Sequence, residues 1–79
     1  IAMDGTSFAP AEMTVKVGDT VTWINKDPFP HNISSKAGGL HSGDLEPDAS
    51  WQFHATTPGS FHYVCTLHPG MKGTLVVTP

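Results

Sequence analysis

Arginine is missing from this chain, and its positive charge is limited to four lysines against seven acidic residues, a net charge of −3 over 79 residues. Without a basic cluster, no nucleic-acid or anionic-membrane partner is expected. Long apolar runs are lacking too. None approaches the roughly 20 residues that cross a bilayer, and no charged-apolar-small leader is present, so no membrane insertion is expected. Cys65 is the single cysteine, which excludes a disulfide within the chain. No stretch sustains a 3.6-residue apolar period, no segment repeats, and nothing marks a domain boundary. One domain over residues 1–79 is expected, with a core small enough that a chain of this size is often helped by a metal or other cross-link.

Alternation dominates what remains. From Ile1 to Phe8 a mild alternation ends near Pro10, as an edge strand followed by a turn would. Met13, Val15 and Val17 alternate with Thr14 and Lys16, Gly18-Asp19 makes a turn, and Val21 and Trp23 alternate with Thr20 and Thr22. This reads as two strands, each with one buried face, and Trp23 as a core residue. Asn25 to Pro30 forms a stiff loop, because proline fixes φ, and His31–Ser34 reads as a short strand. Residues 35–49 carry Gly and polar residues without a period and read as a long surface connection. Trp51, Phe53 and Ala55, then Phe61, Tyr63 and Cys65, alternate with polar neighbours, and Thr74–Thr78 is a closing strand rich in β-branched residues. Short strands separated by turn signals point to an all-β sandwich.

The chemistry concentrates in Cys65-Thr66-Leu67-His68-Pro69-Gly70-Met71. A thiolate, an imidazole and a thioether three residues apart favour copper over hard, oxygen-seeking cations. The alternation turns Cys65 inward, and a buried thiolate is costly without a cation beside it. A blue-copper centre has two His and one Cys in a plane with a weak axial Met, so one His is still needed. His31, stiffened by Pro30, is the best candidate. His41 sits in a flexible Gly-rich stretch, a poor place to fix a donor, and His54 and His62 fall on the solvent-facing side of their strands. Zinc suits the set poorly, because structural zinc sites rarely use Met. An enzyme using Cys65 as nucleophile with His68 or His62 as base would need a substrate cleft that an inward Cys does not offer.

These residues resemble the cupredoxins, the amicyanin and plastocyanin branch in particular. Val15–Asn25 looks like the family's early strand pair, Pro30-His31-Asn32 like its first-ligand segment, and Cys65-x-x-His68-x-x-Met71 like the short ligand loop of amicyanins. The resemblance implies an antiparallel Greek-key sandwich, one type 1 copper held by His31, Cys65, His68 and Met71, and a role in passing single electrons between redox proteins. It implies a bacterial periplasm as the setting. It also implies that Asn32 joins the two ligand loops by hydrogen bonds, with Thr66 as its partner. Leu67 and Gly70 depart from amicyanin, which has a proline and a bulky aromatic there.

A His68 edge reaching solvent would be the electron port. Pro28, Phe29, Pro30, Leu67, Pro69 and Gly70 would supply a low-charge apolar patch around it, on which a redox donor and acceptor dock weakly. The chain is expected to act as a monomer. The alternatives are a copper carrier or storage protein, or a cupredoxin domain belonging to a larger copper oxidoreductase.

Overall fold

In the computed structural model, which describes residues 1–36 and 38–79, the alternating stretches form seven strands. They are β1 (Ala2–Asp4), β2 (Ser7–Ala9), β3 (Glu12–Lys16), β4 (Thr20–Asn25), β5 (Ser50–His54), β6 (Gly59–Cys65) and β7 (His68–Thr78). One sheet has the order β2-β1-β4-β5 and the other β3-β7-β6. The sandwich is the one expected, and both of its sheets are mixed. β1 runs parallel to β4 and β3 parallel to β7, while the remaining neighbours are antiparallel. Parallel partners need a crossover connection, and both pairs are far apart in sequence. Among the described residues no helix is long and apolar enough to cross a membrane.

The two inner faces meet in one core. β1, β2 and β4 contribute Met3, Phe8, Val21 and Trp23; β6 and β7 contribute Tyr63, Cys65, Leu75 and Val77. Tyr63 is the hinge of the aromatic packing, edge-on to Phe8 at 4.7 Å and to Trp23 at 5.6 Å between ring centroids. Edge-to-face pairs at these separations add attraction beyond the area they bury.

Four expectations need correction. The N-terminal stretch is a hairpin instead of one edge strand, with Met3 opposite Phe8 and Asp4 opposite Ser7. Gly5 and Thr6 both take positive φ, 59° and 57°, the backbone of a two-residue turn whose twist matches that of the strands it joins. Residues 35–49 are not merely a surface connection: Leu40 and Leu45 are buried, and Leu45 exchanges both backbone hydrogen bonds with His31. Two leucines among glycines have no period to announce them. His31–Ser34 accordingly forms isolated bridges to Leu45, His41 and Val64 in place of a strand. Ala37, within that connection, lies outside the described residues. Finally, the ligand segment is less a loop than a strand start. Only Thr66 and Leu67 turn the chain, and β7 begins at His68.

Gly73 shows how tightly the sheets close. A Cβ there would collide with the Tyr63 ring, so the phenol occupies the space that any other residue would need. Burial pushes the Tyr63 phenol above its ordinary value, and the neighbouring Trp23 indole offsets this only in part. Neither Tyr63 Oη nor Trp23 Nε1 has a hydrogen-bond partner among the described residues. Gly73→Ala is therefore expected to lower stability by about 2 kcal/mol or more, through overpacking. Tyr63→Phe, which deletes an unpaired buried hydroxyl, is expected to leave stability unchanged or raise it by up to about 1 kcal/mol. Urea unfolding of the two variants checks both signs.

Candidate metal centre

Cys65 ends β6 on its inward face, fully buried, and the two-residue turn after it brings His68 back opposite. The β6–β7 register pairs Val64 with Lys72 but Cys65 with His68, so Pro69, Gly70 and Met71 bulge out of the ladder. A bulge re-aims side chains next to a site without breaking the sheet behind it. It carries Met71 back into the core, where it is 2% exposed, while Pro69 and Gly70 stay at the surface.

His31 arrives from the other side. Its backbone N–H and C=O are both bonded to Leu45, at 3.1 and 2.7 Å, and its side chain is fully buried. Its Nδ1 lies 3.6 Å from the Cys65 sulfur, and the Nδ1 of His68 lies 3.8 Å from the same atom. The two imidazole rings are 4.8 Å apart, and Phe29 packs against both at 5.2 Å. All three donor atoms fall within 4.8 Å of one another.

Asp27 fixes the His31 ring. Its Oδ2 lies 2.7 Å from His31 Nε2, and the same carboxylate accepts the Gly5 and Thr6 N–H groups at 2.8 and 2.9 Å. The Thr6 hydrogen bond first, opposed by burial and helped by His31 and Gly5, holds its carboxyl below the ordinary 3.8. An ionised carboxylate only accepts, so Nε2 carries the ring proton and Nδ1 is left bare towards the sulfur. Asn25, also fully buried, ties the same loop: its Nδ2 donates to the carbonyls of Phe29 and Leu45, and its Oδ1 accepts from the Asp27 N–H.

Asn32 clamps the two ligand segments as expected. Its Nδ2 donates to Thr66 Oγ1 at 2.8 Å, and its Oδ1 accepts from the Thr66 N–H at 3.0 Å. Its backbone N–H points at the Cys65 sulfur from 3.4 Å, placing a hydrogen-bond donor beside that atom. His41, His54 and His62 are exposed and stand outside the cluster, the latter two hydrogen-bonded to Thr20 and Thr74.

Whether these residues suit a metal follows from their spacing. An ion bonded to nitrogen at about 2.0 Å and sulfur at about 2.3 Å, with a near-trigonal angle between them, sets the two donors about 3.7 Å apart. The 3.6 and 3.8 Å separations in this site match. Two imidazoles and one thiolate, with a buried thioether three residues on, fit copper best.

The sequence pattern of the copper-binding proteins of the plastocyanin/azurin family matches residues 1–78. The chain belongs to that family. It is 42% identical over 75 residues to an amicyanin of Paracoccus denitrificans, an alignment covering 89% of this chain and 57% of the relative. It is 37% identical over 83 residues to a plastocyanin of Scenedesmus fuscus, covering 89% of this chain and 85% of that one. Among solved structures, the crystal structure of Paracoccus versutus amicyanin superposes with a TM-score of 0.89 at 30% identity, over 98% of this chain and 77% of that one. The reduced Cu(I) form of an amicyanin variant at pH 4 superposes with a TM-score of 0.91 at 34% identity, over 98% and 78%. The chain spans 57% to 63% of the length of the three amicyanins it resembles in sequence.

Sequence reasoning missed Asp27, Asn25 and Leu45. Asp27 left one trace, a carboxylate four residues before His31 in a proline-stiffened loop. Since its folded pKa lies below the unfolded one, its ionisation stabilises the fold above the ordinary value and ceases to do so as pH falls through the lower folded value. The metal-free Asp27→Asn variant is thus expected to unfold at lower urea than the parent at neutral pH, with the gap narrowing below about pH 4. An equal gap at both pH values would contradict the assigned charge.

Proposed function

We propose that residues 1–79 form one type 1 copper domain, an electron carrier and not an enzyme, which shuttles single electrons between redox proteins. The observation that carries this is the buried Cys65 sulfur facing the Nδ1 atoms of His31 and His68 at 3.6 and 3.8 Å. His31, Cys65, His68 and Met71 would hold the ion. A bound copper ion supplies a Cu(I)/Cu(II) couple that gains and loses one electron without a proton.

The chain's own residues make that exchange easy by not moving. His31 is held through Leu45 and Asp27, Cys65 by its strand and Asn32, and Thr66 by Asn32, so the donor set has few alternatives to relax into. Phe29 excludes water from the flank of both rings.

His68 is half-buried where His31 is fully so, which makes it the port. Around it Phe29 and Leu67 are 36% and 47% exposed, and Pro28, Pro69 and Gly70 are exposed as well. No charged side chain belongs to that patch. Apolar, uncharged and small, it suits donors and acceptors that dock weakly and leave quickly, with the chain itself a monomer. The likeness to bacterial amicyanins supports a periplasmic setting, although some plastocyanin relatives are chloroplastic.

Adding Cu(II) to the metal-free protein is expected to produce an intense visible thiolate-to-copper band. Cys65→Ser should abolish that band while the far-ultraviolet circular dichroism stays unchanged. Electron self-exchange followed by NMR line broadening then separates the roles. Rapid exchange with copper retained supports a carrier of electrons, whereas ready loss of Cu(I) to a competing chelator would overturn it in favour of a carrier of metal.

A further inference from the structure

Opposite Asn32 the chain carries one residue too many. His31 pairs with Leu45 and Ser34 with His41, so residues 42–44 face only Asn32 and Ile33. The flanks of this bulge are tied down. Leu45 exchanges backbone hydrogen bonds with His31, the Ser42 N–H donates to the Ile33 carbonyl at 3.0 Å, and the Ile33 N–H donates to Ser42 Oγ at 2.9 Å. Gly43 takes up the extra length at a φ of 71°, left-handed backbone that glycine enters without steric cost. The bulge re-aims Asp44, whose Oδ1 accepts from Asn32 Nδ2 at 3.0 Å.

That contact completes the Asn32 amide. One Nδ2 hydrogen goes to Asp44 and the other to Thr66 Oγ1 at 2.8 Å, while Oδ1 accepts from the Thr66 N–H at 3.0 Å. The Thr66 hydroxyl can donate or accept, so it does not dictate which end of the amide faces it. A backbone N–H only donates and an aspartate carboxylate only accepts. Between them, the Thr66 N–H and Asp44 leave the amide one orientation. The bond to Asp44 is charge-assisted, and it polarises the amide towards Oδ1, which strengthens the bond to Thr66. Thr66 and Leu67 are the whole turn between Cys65 and His68, and the Asn32 N–H lies 3.4 Å from the Cys65 sulfur.

We propose that Asp44 is a positioning residue for the metal centre, acting through the Asn32 amide to hold the Thr66–Leu67 turn that sets Cys65 and His68 relative to each other. Asp44 is exposed and stands outside the donor cluster, so replacing it leaves the core and the donors in place. Its consequence for the metal rests on the copper reading, whereas its hold on Thr66 exists without an ion.

Amide hydrogen exchange of the ¹⁵N-labelled, metal-free chain tests the hold on Thr66. Asp44→Ala is expected to speed exchange of the Thr66 N–H about fivefold or more, while the amides of β4 and β7 keep their rates. Asp44→Asn keeps an acceptor and loses the charge, so it should recover most of that protection. In the copper-loaded protein, Asp44→Ala should lose Cu(I) to a chelator about fivefold faster or more, with Asp44→Asn nearer the parent. Unchanged Thr66 exchange in Asp44→Ala, faster exchange spread evenly over β4 and β7, or no recovery in Asp44→Asn would each overturn the inference. Faster Thr66 exchange with Cu(I) loss unchanged would overturn the link to the metal. A parent chain that develops no visible band with Cu(II) would contradict the copper reading instead, and the Thr66 rates separate that failure from this one.

Discussion

A sulfur atom with no access to solvent lies between two imidazole nitrogens, and the rest of the structure is arranged around keeping it there. Burying a thiolate is unfavourable unless positive charge and hydrogen bonds replace the water it loses. The Asn32 N–H supplies one hydrogen bond, and an ion held by the three donors would supply the rest. On the proposed reading the metal and the sandwich are for that reason one energetic unit. A core this small gains a cross-link between segments 34 residues apart, His31 and Cys65.

That unit reaches well beyond its ligands. The Asp27 carboxylate bonds the turn of the β1–β2 hairpin with one set of lone pairs and the His31 ring with another. The N-terminal hairpin thereby becomes a brace for the His31 ring far along the chain. Asn25 does similar work from the end of β4, joining the loop before His31 to the connection that carries Leu45. Both polar groups are buried, and each is used on more than one partner, which is what makes a buried polar network rigid. Rigidity would serve the proposed function, because a centre that scarcely rearranges between oxidation states loses little energy to motion on each transfer.

How much of this could be read beforehand followed from where the information is local. Strands with one buried face declare themselves by alternation, so Val21 and Trp23 in β4, and Tyr63 and Cys65 in β6, were legible. So were His31, Cys65 and His68 as convergent donors, because softness and spacing restrict what a Cys-x-x-His-x-x-Met segment does, and the Asn32–Thr66 clamp followed from the family likeness. The N-terminal hairpin was not legible, since Gly5-Thr6 is a weak turn signal and Thr6 enters positive φ only in a context fixed by Asp27. Leu40 and Leu45 were missed because a connection can bury single residues with no period at all. The parallel pairings of β1 with β4 and β3 with β7 are long-range facts that no local pattern encodes. Asp27 is the sharpest case: its partners lie four residues ahead and more than twenty behind, and only the fold brings them to one carboxylate.

The claim on which this account turns is that the fold holds one set of donors in place while the charge between them changes. X-ray absorption at the copper edge, measured on the oxidised and the reduced protein at neutral pH, addresses it directly. The account predicts two nitrogen scatterers and one short sulfur scatterer in both states, with distances that agree to within about 0.2 Å. Loss of a nitrogen or of the short sulfur on reduction, or a first shell dominated by oxygen in either state, would contradict it.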